Sequence, residues 1–415
     1  MRSITRERNA VVLEPLPQTD SLYADWDDGD YERDDGIQAS YRKYVFRKIG
    51  FIIICILICL VAVALSIAMG EYPISALEAY QYLWGHITGD PDVIGTVADR
   101  VVWQLRLPRV LIAIISGAGL AVAGAAMQST LKNPLADPYT TGISSGAAFG
   151  ATIAICYGAG FLSGSAGIVI NAFVFALIPT AVIVIISTTK RVSPVSMVMA
   201  GIAIMYIFNA MTTVLKLWAD PDDLAAVYQW QVGSFEGLYW DDVPVMFVVT
   251  LVGSVFLLLI SNKLNVLAAG DESAKSMGID ASKLRIICLI VVSLITASIV
   301  SFTGIIGFVG LVAPHVVRIF IGSDNRYLIP ASMAFGAALM LISDLIGRVL
   351  VAGDALPVGV VTSFLGGPLF LYLILRQKKE AWRWRYPSTT WTSATGTSRS
   401  CTRLTSSSTS PAWSA

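Results

Sequence analysis

The sequence predicts an all-α membrane protein that crosses the bilayer about ten times. Hydrophobic residues make up 55% of the 415 residues, charged residues make up 14%, and the mean hydropathy is +0.67. Soluble domains carry roughly a quarter charged residues, so a water-exposed surface could not accommodate this composition. The 29 Lys and Arg equal the 29 Asp and Glu, and the lack of a basic excess argues against a nucleic-acid partner.

Ten segments are predicted to span the membrane, because only a helix satisfies its own backbone in lipid and a crossing needs about 20 apolar residues. The first segment contains no charged residue and begins far from the N-terminus, so a signal peptide is not expected. The predicted spans are 49–69, 107–130, 141–159, 166–187, 193–215, 244–261, 284–303, 306–321, 328–350 and 358–375.

Basic residues in the short loops predict the orientation of these spans. Lys and Arg precede span one, follow span ten and lie after spans two, four, six and eight. With ten spans, all of these positions fall on one side of the membrane. The opposite loops, such as 71–99 and 220–242, are acidic or uncharged. Both termini are therefore predicted to be cytoplasmic, in a protein of the plasma membrane.

Two polar segments flank the predicted transmembrane domain, which covers 49–378. Residues 1–48 include an acidic stretch with seven Asp and one Glu, and they are predicted to form a disordered cytoplasmic arm. Residues 379–415 are rich in Ser and Thr and are predicted to form a cytoplasmic tail without a packed core.

Span two carries a stripe of small residues that favours close helix contacts in lipid. Either the stripe forms a wall beside a translocation path, or it serves ordinary helix packing, and packing is the more frequent use of such stripes. The candidate pathway or packing residues are Ala113, Gly117, Ala121, Gly124, Ala125 and Gln128.

Charged groups inside the predicted spans are scarce. Asp344 and Arg348, four residues apart, are either a functional pair or a structural link on one helix face. A single carboxylate of this kind disfavours an ion-coupled secondary transporter. The sequence has no G-x-x-x-x-G-K-[ST] phosphate loop, and its five Cys have neither disulfide nor metal spacing, so no catalytic residue, metal or cofactor is expected in this chain.

The loop after span six contains a predicted short helix over 271–277. Asp271 and Glu272 suit its N-terminus, and Gly278 suits its C-terminal cap. Ala274 and Met277 could face a partner groove or the bilayer surface, and pattern alone leaves a partner site and a solvated loop equally open. The loop residues are Gly270, Asp271, Glu272, Ser273, Ala274, Lys275, Ser276, Met277 and Gly278.

From this loop outwards, the chain resembles the FecCD-type permease subunits of iron-siderophore, haem and vitamin B12 ABC importers over nearly all of 50–378. The resemblance rests on several motifs in a fixed order. They are 106–109 (RLPR), 124–128 (GAAMQ), 133–138 (NPLADP), 270–278, 307–315 (GFVGLVAPH) and 356–360 (LPVGV).

This resemblance implies a ten-helix permease of the type II importer kind, working as a homodimer or close heterodimer. It also implies two ATPase subunits that bind ATP and Mg and seat the 270–280 loop in a groove, and an extracytoplasmic binding protein. Acidic residues of that binding protein would face Arg106, Arg109 and Arg348. The expected cargo is ferric siderophore, with haem or cobalamin as alternatives, ahead of a secondary transporter or a membrane-embedded enzyme.

Overall fold

The computed structural model describes residues 32–70, 72, 74–162, 164–189, 193–350 and 355–383, and the regular structure in these ranges is helical. The chain divides into two compact units at Pro368, and the described residues of the second unit are 369–383. The helices are α1 (Glu32–Ala68), α2 (Ala76–Thr88), α3 (Val97–Arg100), α4 (Leu107–Leu131), α5 (Ile143–Tyr157), α6 (Ser165–Thr189), α7 (Pro194–Lys216), α8 (Pro221–Val232), α9 (Val243–Leu259), α10 (Ser261–Ala269), α11 (Asp271–Ser276), α12 (Ala281–Thr303), α13 (Val309–Ile321), α14 (Asn325–Leu350) and α15 (Val358–Arg383).

Local sequence signals set several of these helix ends. At the start of α2, the Ser75 hydroxyl accepts a bond from the Glu78 amide while the Glu78 carboxylate accepts one from the Ser75 amide, which forms a capping box. Asp280 caps α12 by accepting from the Ser282 and Lys283 amides. A π-helical turn, Val101–Arg106, joins α3 to α4 without a break, so span two begins about ten residues before its predicted start.

The ten predicted apolar segments are confirmed as helices within the described ranges. Six single helical segments are long and apolar enough to cross a membrane, and α9 with α10 forms a seventh that bends by 60°. The three shorter apolar helices are α5, α13 and the Val358–Tyr372 part of α15, which coincide with predicted spans three, eight and ten. The polar connections also contain helices that hydropathy did not reveal, namely α2 and α8.

The first helix begins earlier than the predicted end of the N-terminal arm. Residues 1–31 and 384–415 lie outside the described residues, but α1 starts at Glu32, so the predicted boundary at residue 48 falls inside a helix. The Lys48 side chain is 3% exposed and its ammonium lies over the rings of Tyr44 and Tyr327, at 4.2 and 4.5 Å from their centroids. These cation–π contacts hold this part of α1 against α14.

Helix α4 forms the centre of the first unit and contacts α9, α12, α13 and α14. Its residues from Gly119 to Leu131 are all buried. A Cβ on Gly124 would overlap the backbone carbonyl of Gly310 in α13, and a Cβ on Gly117 would overlap that of Gly336 in α14. Glycine at these two crossings therefore lets three helix backbones touch, as small residues do between helices in lipid.

Candidate functional site

Two clusters of charged side chains lie at the two ends of α4. With 25 residues, this helix is about 37 Å long, roughly the thickness of a bilayer. Arg106 and Arg109 lie where it begins, and Lys132 follows its last residue. We call the first region the arginine end and the second the loop end, because the 270–278 loop contacts Lys132.

At the arginine end, one buried carboxylate joins two arginines from different helices. The Asp344 side chain is 1% exposed, and its Oδ1 accepts from Arg109 Nε at 2.9 Å while its Oδ2 lies 3.0 Å from Arg348 Nε. The predicted pairing of Asp344 with Arg348 on one helix face is therefore present, and Arg109 of α4 extends it into a link between helices. Arg109 and Arg348 share one negative charge, so the cluster keeps a positive excess.

The other arginine contacts at this end satisfy the carbonyl groups at the C-terminus of α1. Arg106 Nη1 donates to Ile67 O at 2.9 Å and to Ala68 O at 3.2 Å. Arg348 Nη1 donates to Ser66 O and Met69 O, both at 3.1 Å. Because the last carbonyls of a helix have no partners within the helix, cations placed here stabilise its end.

All three arginines line one open cavity of about 1010 Å³, together with the carboxylate-bearing Glu236 and with Gln229. A second cavity of about 580 Å³ shares these last two residues with the first. Arg106 is 5% exposed and the Arg348 side chain 7%, whereas the Arg109 side chain is 17% exposed. Of the three predicted docking residues, Arg109 is thus the most accessible, whereas the other two are more buried and donate to carbonyl groups at the end of α1.

At the loop end, Asp271 joins the loop to two spanning helices. Its Oδ1 accepts from Lys132 Nζ at 2.6 Å and from Arg285 Nη2 at 2.9 Å, where Lys132 follows α4 and Arg285 belongs to α12. The hydrogen bond from Lys132, together with the charge of Arg285, lowers the pKa of Asp271. Its stabilising effect is therefore present above the ordinary Asp pKa and is lost as the pH falls through the lowered value.

The rest of the loop has the predicted shape, with one difference in its orientation. Helix α11 runs over Asp271–Ser276, and Gly278 adopts a left-handed φ of 73° with its amide bonded to Lys275 O. Ala274, however, is fully buried and cannot face a partner groove, whereas Met277 is 66% exposed. The exposed surface of the loop includes Glu272, Ser273, Lys275, Ser276 and Met277.

The predicted pathway or packing residues of α4 all lie in the interior of the helix bundle. Gly117 and Gly124 occupy the two helix crossings described above, and Ala113, Ala121 and Ala125 have no exposed surface. Gln128 donates to Leu311 O at 3.2 Å and accepts from Arg318 Nη1 at 3.0 Å, so it links α4 to α13. In this chain the small-residue stripe contacts neighbouring helices rather than an open space.

The two cationic partners of Asp271 at the loop end were not predicted from the sequence. Lys132 and Arg285 counted as orientation signals, and neither was assigned to the loop. Their approach to Asp271 joins residues 139 and 14 positions apart along the chain, which no local pattern shows. The signal available was chemical, since Arg285 lies in the first turns of an apolar helix and a buried guanidinium requires a partner.

An apolar helix bundle whose charged clusters lie at its two ends is typical of a multi-pass membrane protein. The chain belongs to the FecCD transport family, whose family model matches residues 57–376. It is accordingly a permease of the ABC importer type.

Relatives of known sequence and structure agree with this assignment. The chain is 41% identical to MJ0087 of Methanocaldococcus jannaschii, a protein assigned as an ABC transporter permease, over 83% of this chain and 99% of that one. It is 35% identical to the hemin transport system permease protein HmuU of Yersinia pestis, over 80% and 96% of the two chains. A solved structure assigned as a metal-chelate type ABC transporter in an inward-facing conformation has a TM-score of 0.69 and 29% identity, and covers 79% of this chain and 99% of that one.

Proposed function

We propose that this chain is the membrane subunit through which an ABC importer moves a ferric siderophore across the cell membrane. The likeness to a structure of the metal-chelate type supports this cargo. The positive excess of the arginine end supports it further, because many iron chelates are anionic and a cationic vestibule attracts them. The alternatives are haem, which the similarity to HmuU favours, and cobalamin.

The observation that carries this proposal is the attachment of the exposed loop to two spanning helices through Asp271. Partner ATPase subunits, which bind ATP and Mg, would hold the exposed face of α11 in a groove. A push on α11 would then reach α4 through Lys132 and α12 through Arg285. To move a two-state balance from 1:99 to 99:1, ATP must favour one state by about 5.5 kcal/mol.

The arginine end would receive an extracytoplasmic binding protein through acidic residues on that protein. Arg109 is the best placed of the three arginines, because it lines the 1010 Å³ cavity and its side chain is the most exposed of the three. In this orientation the loop end and both termini are cytoplasmic, which agrees with the distribution of basic residues. A second permease subunit, identical or closely related, would complete the translocation path.

Co-purification and uptake test the proposal together. The full-length chain, expressed in its native host and extracted with detergent, should retain an ATPase subunit. The double variant Glu272→Arg with Gly278→Pro should remain in the membrane but lose ATP-dependent uptake. Normal uptake by this variant would contradict the coupling role of the loop.

The cargo is tested by uptake in a strain that lacks the gene. Labelled ferric siderophore, haem and cobalamin are compared with and without restored expression of the chain. Selective recovery of siderophore uptake is the expected result, and selective recovery of cobalamin or haem uptake would replace the cargo while keeping the class of transporter.

A further inference from the structure

A third cavity, of about 560 Å³, lies at the loop end and has no role in the function proposed above. The cavity is formed where α1, α4, α10, α13 and the start of α14 meet, and we call it the loop-end cavity. Three of its lining residues carry charge, namely Lys132, Arg318 and Asp324, and its neutral polar lining includes Ser129 and Gln128.

The positive charge of Arg318 has no acidic partner within the described part of the chain. Its guanidinium donates to the neutral amide oxygen of Gln128 at 3.0 Å, and no described carboxylate comes within 4.0 Å of it. Burying a guanidinium costs free energy because the charge loses part of its hydration, and a hydrogen bond to a neutral amide offsets only part of that cost. The structure therefore leaves an unmatched cation facing space that a ligand could fill.

The acidic residue of the cavity does not supply the missing charge. Asp324 accepts from Arg326 Nη2 at 2.8 Å and from Asn265 Nδ2 at 2.8 Å, and Lys48 Nζ lies 3.8 Å from it. With these partners its charge is already matched. Lys132 pairs with Asp271, but Asp271 also pairs with Arg285, so one negative charge faces two positive charges. The Lys132 side chain is 29% exposed and adds positive charge to the cavity.

Two of the helices that line the cavity also carry exposed apolar side chains of the kind that contact lipid. On α13, Ile319 and Phe320 directly follow Arg318, and each is 51% exposed. On α1, Phe46 is 77% exposed and lies two residues after Tyr44, which lines the cavity. The cavity and the exposed apolar side chains thus belong to the same two helices, so a lipid could place its acyl chains on these helices and its anionic headgroup in the cavity.

We propose that the loop-end cavity binds a negatively charged phosphate group, held by Arg318 and Lys132 and supplied by the headgroup of an anionic phospholipid. The guanidinium offers a fork of donors that matches phosphate oxygens, and the ammonium adds a second charge. Because Lys132 also contacts Asp271, a phosphate bound here lies next to the connection between α4 and the loop.

Native mass spectrometry of the purified full-length chain tests this assignment. The protein is mixed with phosphatidylglycerol or with phosphatidylcholine of the same acyl chains, and the lipid-bound fraction is measured. Wild-type protein should retain phosphatidylglycerol about tenfold better, and Arg318→Gln should remove that preference while Arg318→Lys keeps most of it. Lys283→Gln is the matched control, since its side chain is at the same end but 81% exposed and outside the cavity.

A second arm distinguishes a lipid from a soluble source of phosphate. Glycerol 3-phosphate is added to lipid-depleted protein, and its effect on the thermal unfolding temperature is compared for wild type and Arg318→Gln. A rise confined to wild type, without a preference for phosphatidylglycerol, supports the phosphate site with a soluble ligand. The assignment is overturned if wild type shows neither the preference for phosphatidylglycerol nor the rise in unfolding temperature, or if Arg318→Gln responds like wild type. Should Arg318→Gln not fold, the comparison of wild type with Arg318→Lys still decides.

Discussion

Replacing Asp271 by Asn tests whether the loop is held to the spanning helices by charge. The change keeps the size of the side chain and one oxygen acceptor but removes the negative charge shared by Lys132 and Arg285. The Arg285 side chain is 3% exposed, so after the exchange its charge stays buried with neutral acceptors in place of the carboxylate, namely the retained amide oxygen and Thr130 O at 3.3 Å from Nε.

The size of the effect follows from the burial of the two partners. Removing one partner of a fully buried ion pair costs about 3–5 kcal/mol, whereas an exposed pair contributes roughly 0.2–1 kcal/mol. Because Asp271 is 47% exposed and Arg285 is buried, the expected loss is about 2 kcal/mol at pH 7. At a pH below the lowered pKa of Asp271, wild type and variant should become equally stable.

Thermal unfolding in detergent, followed by tryptophan fluorescence, measures this difference. Asp280→Asn is the control, because Asp280 lies in the same loop, forms an exposed pair with Lys283, and Asn is an equally good helix N-cap. We expect Asp271→Asn to unfold at a clearly lower temperature and Asp280→Asn to match wild type. If the two variants behave alike, the Asp271 contacts do not hold the loop and the reasoning is refuted.

Three further predictions concern other parts of the molecule. Asp344→Asn leaves two largely buried arginines without their shared anion, so unfolding measurements should show a loss of about 3–5 kcal/mol. Gly124→Ala should abolish the recovery of folded protein in size-exclusion chromatography, because its Cβ overlaps backbone of α13, whereas Gly307→Ala, with open space at its Cβ, should be recovered normally. The hydrogen bond from Arg326 lowers the pKa of Asp324 to about 2, so its stabilising effect is complete above the ordinary Asp pKa of about 3.9 and is lost as the pH falls toward 2. The difference in unfolding temperature between wild type and Asp324→Asn should therefore shrink between pH 7 and pH 3.

The course of the chain could be predicted from the sequence wherever one local pattern determines it. Long apolar runs located the spanning segments, because the need to satisfy the backbone in lipid favours helix for an apolar run of this length. The starts of α1 and of span two were placed too late, since polar residues precede the apolar run in both. The short helix at 271–276 and its left-handed Gly278 followed from acidic residues at one end and glycine at the other. The Asp344 and Arg348 pair followed from helical spacing alone.

The remaining features depend on contacts between distant parts of the chain. Helices α2 and α8 were missed because they are short and their composition is mixed, so a hydropathy average treats them as loops. The contacts of Arg106 with carbonyl groups of α1 could not be predicted from its motif, because more than 30 residues of chain separate the two. The burial of Ala274 likewise depends on how α11 lies against the bundle, which its own sequence does not specify.

The 60° bend between α9 and α10, in the segment predicted as span six, offers a point about which α10 could turn relative to α9. Helix α10 has nine residues and is about 14 Å long, and Ile260 lies at the bend where it begins. Turning this arm by roughly 10° would carry Gly270 by about 2.4 Å, close to the length of one hydrogen bond. A rotation of this size at Ile260 would therefore be enough to form or break the hydrogen bonds that Asp271 accepts from Lys132 and Arg285.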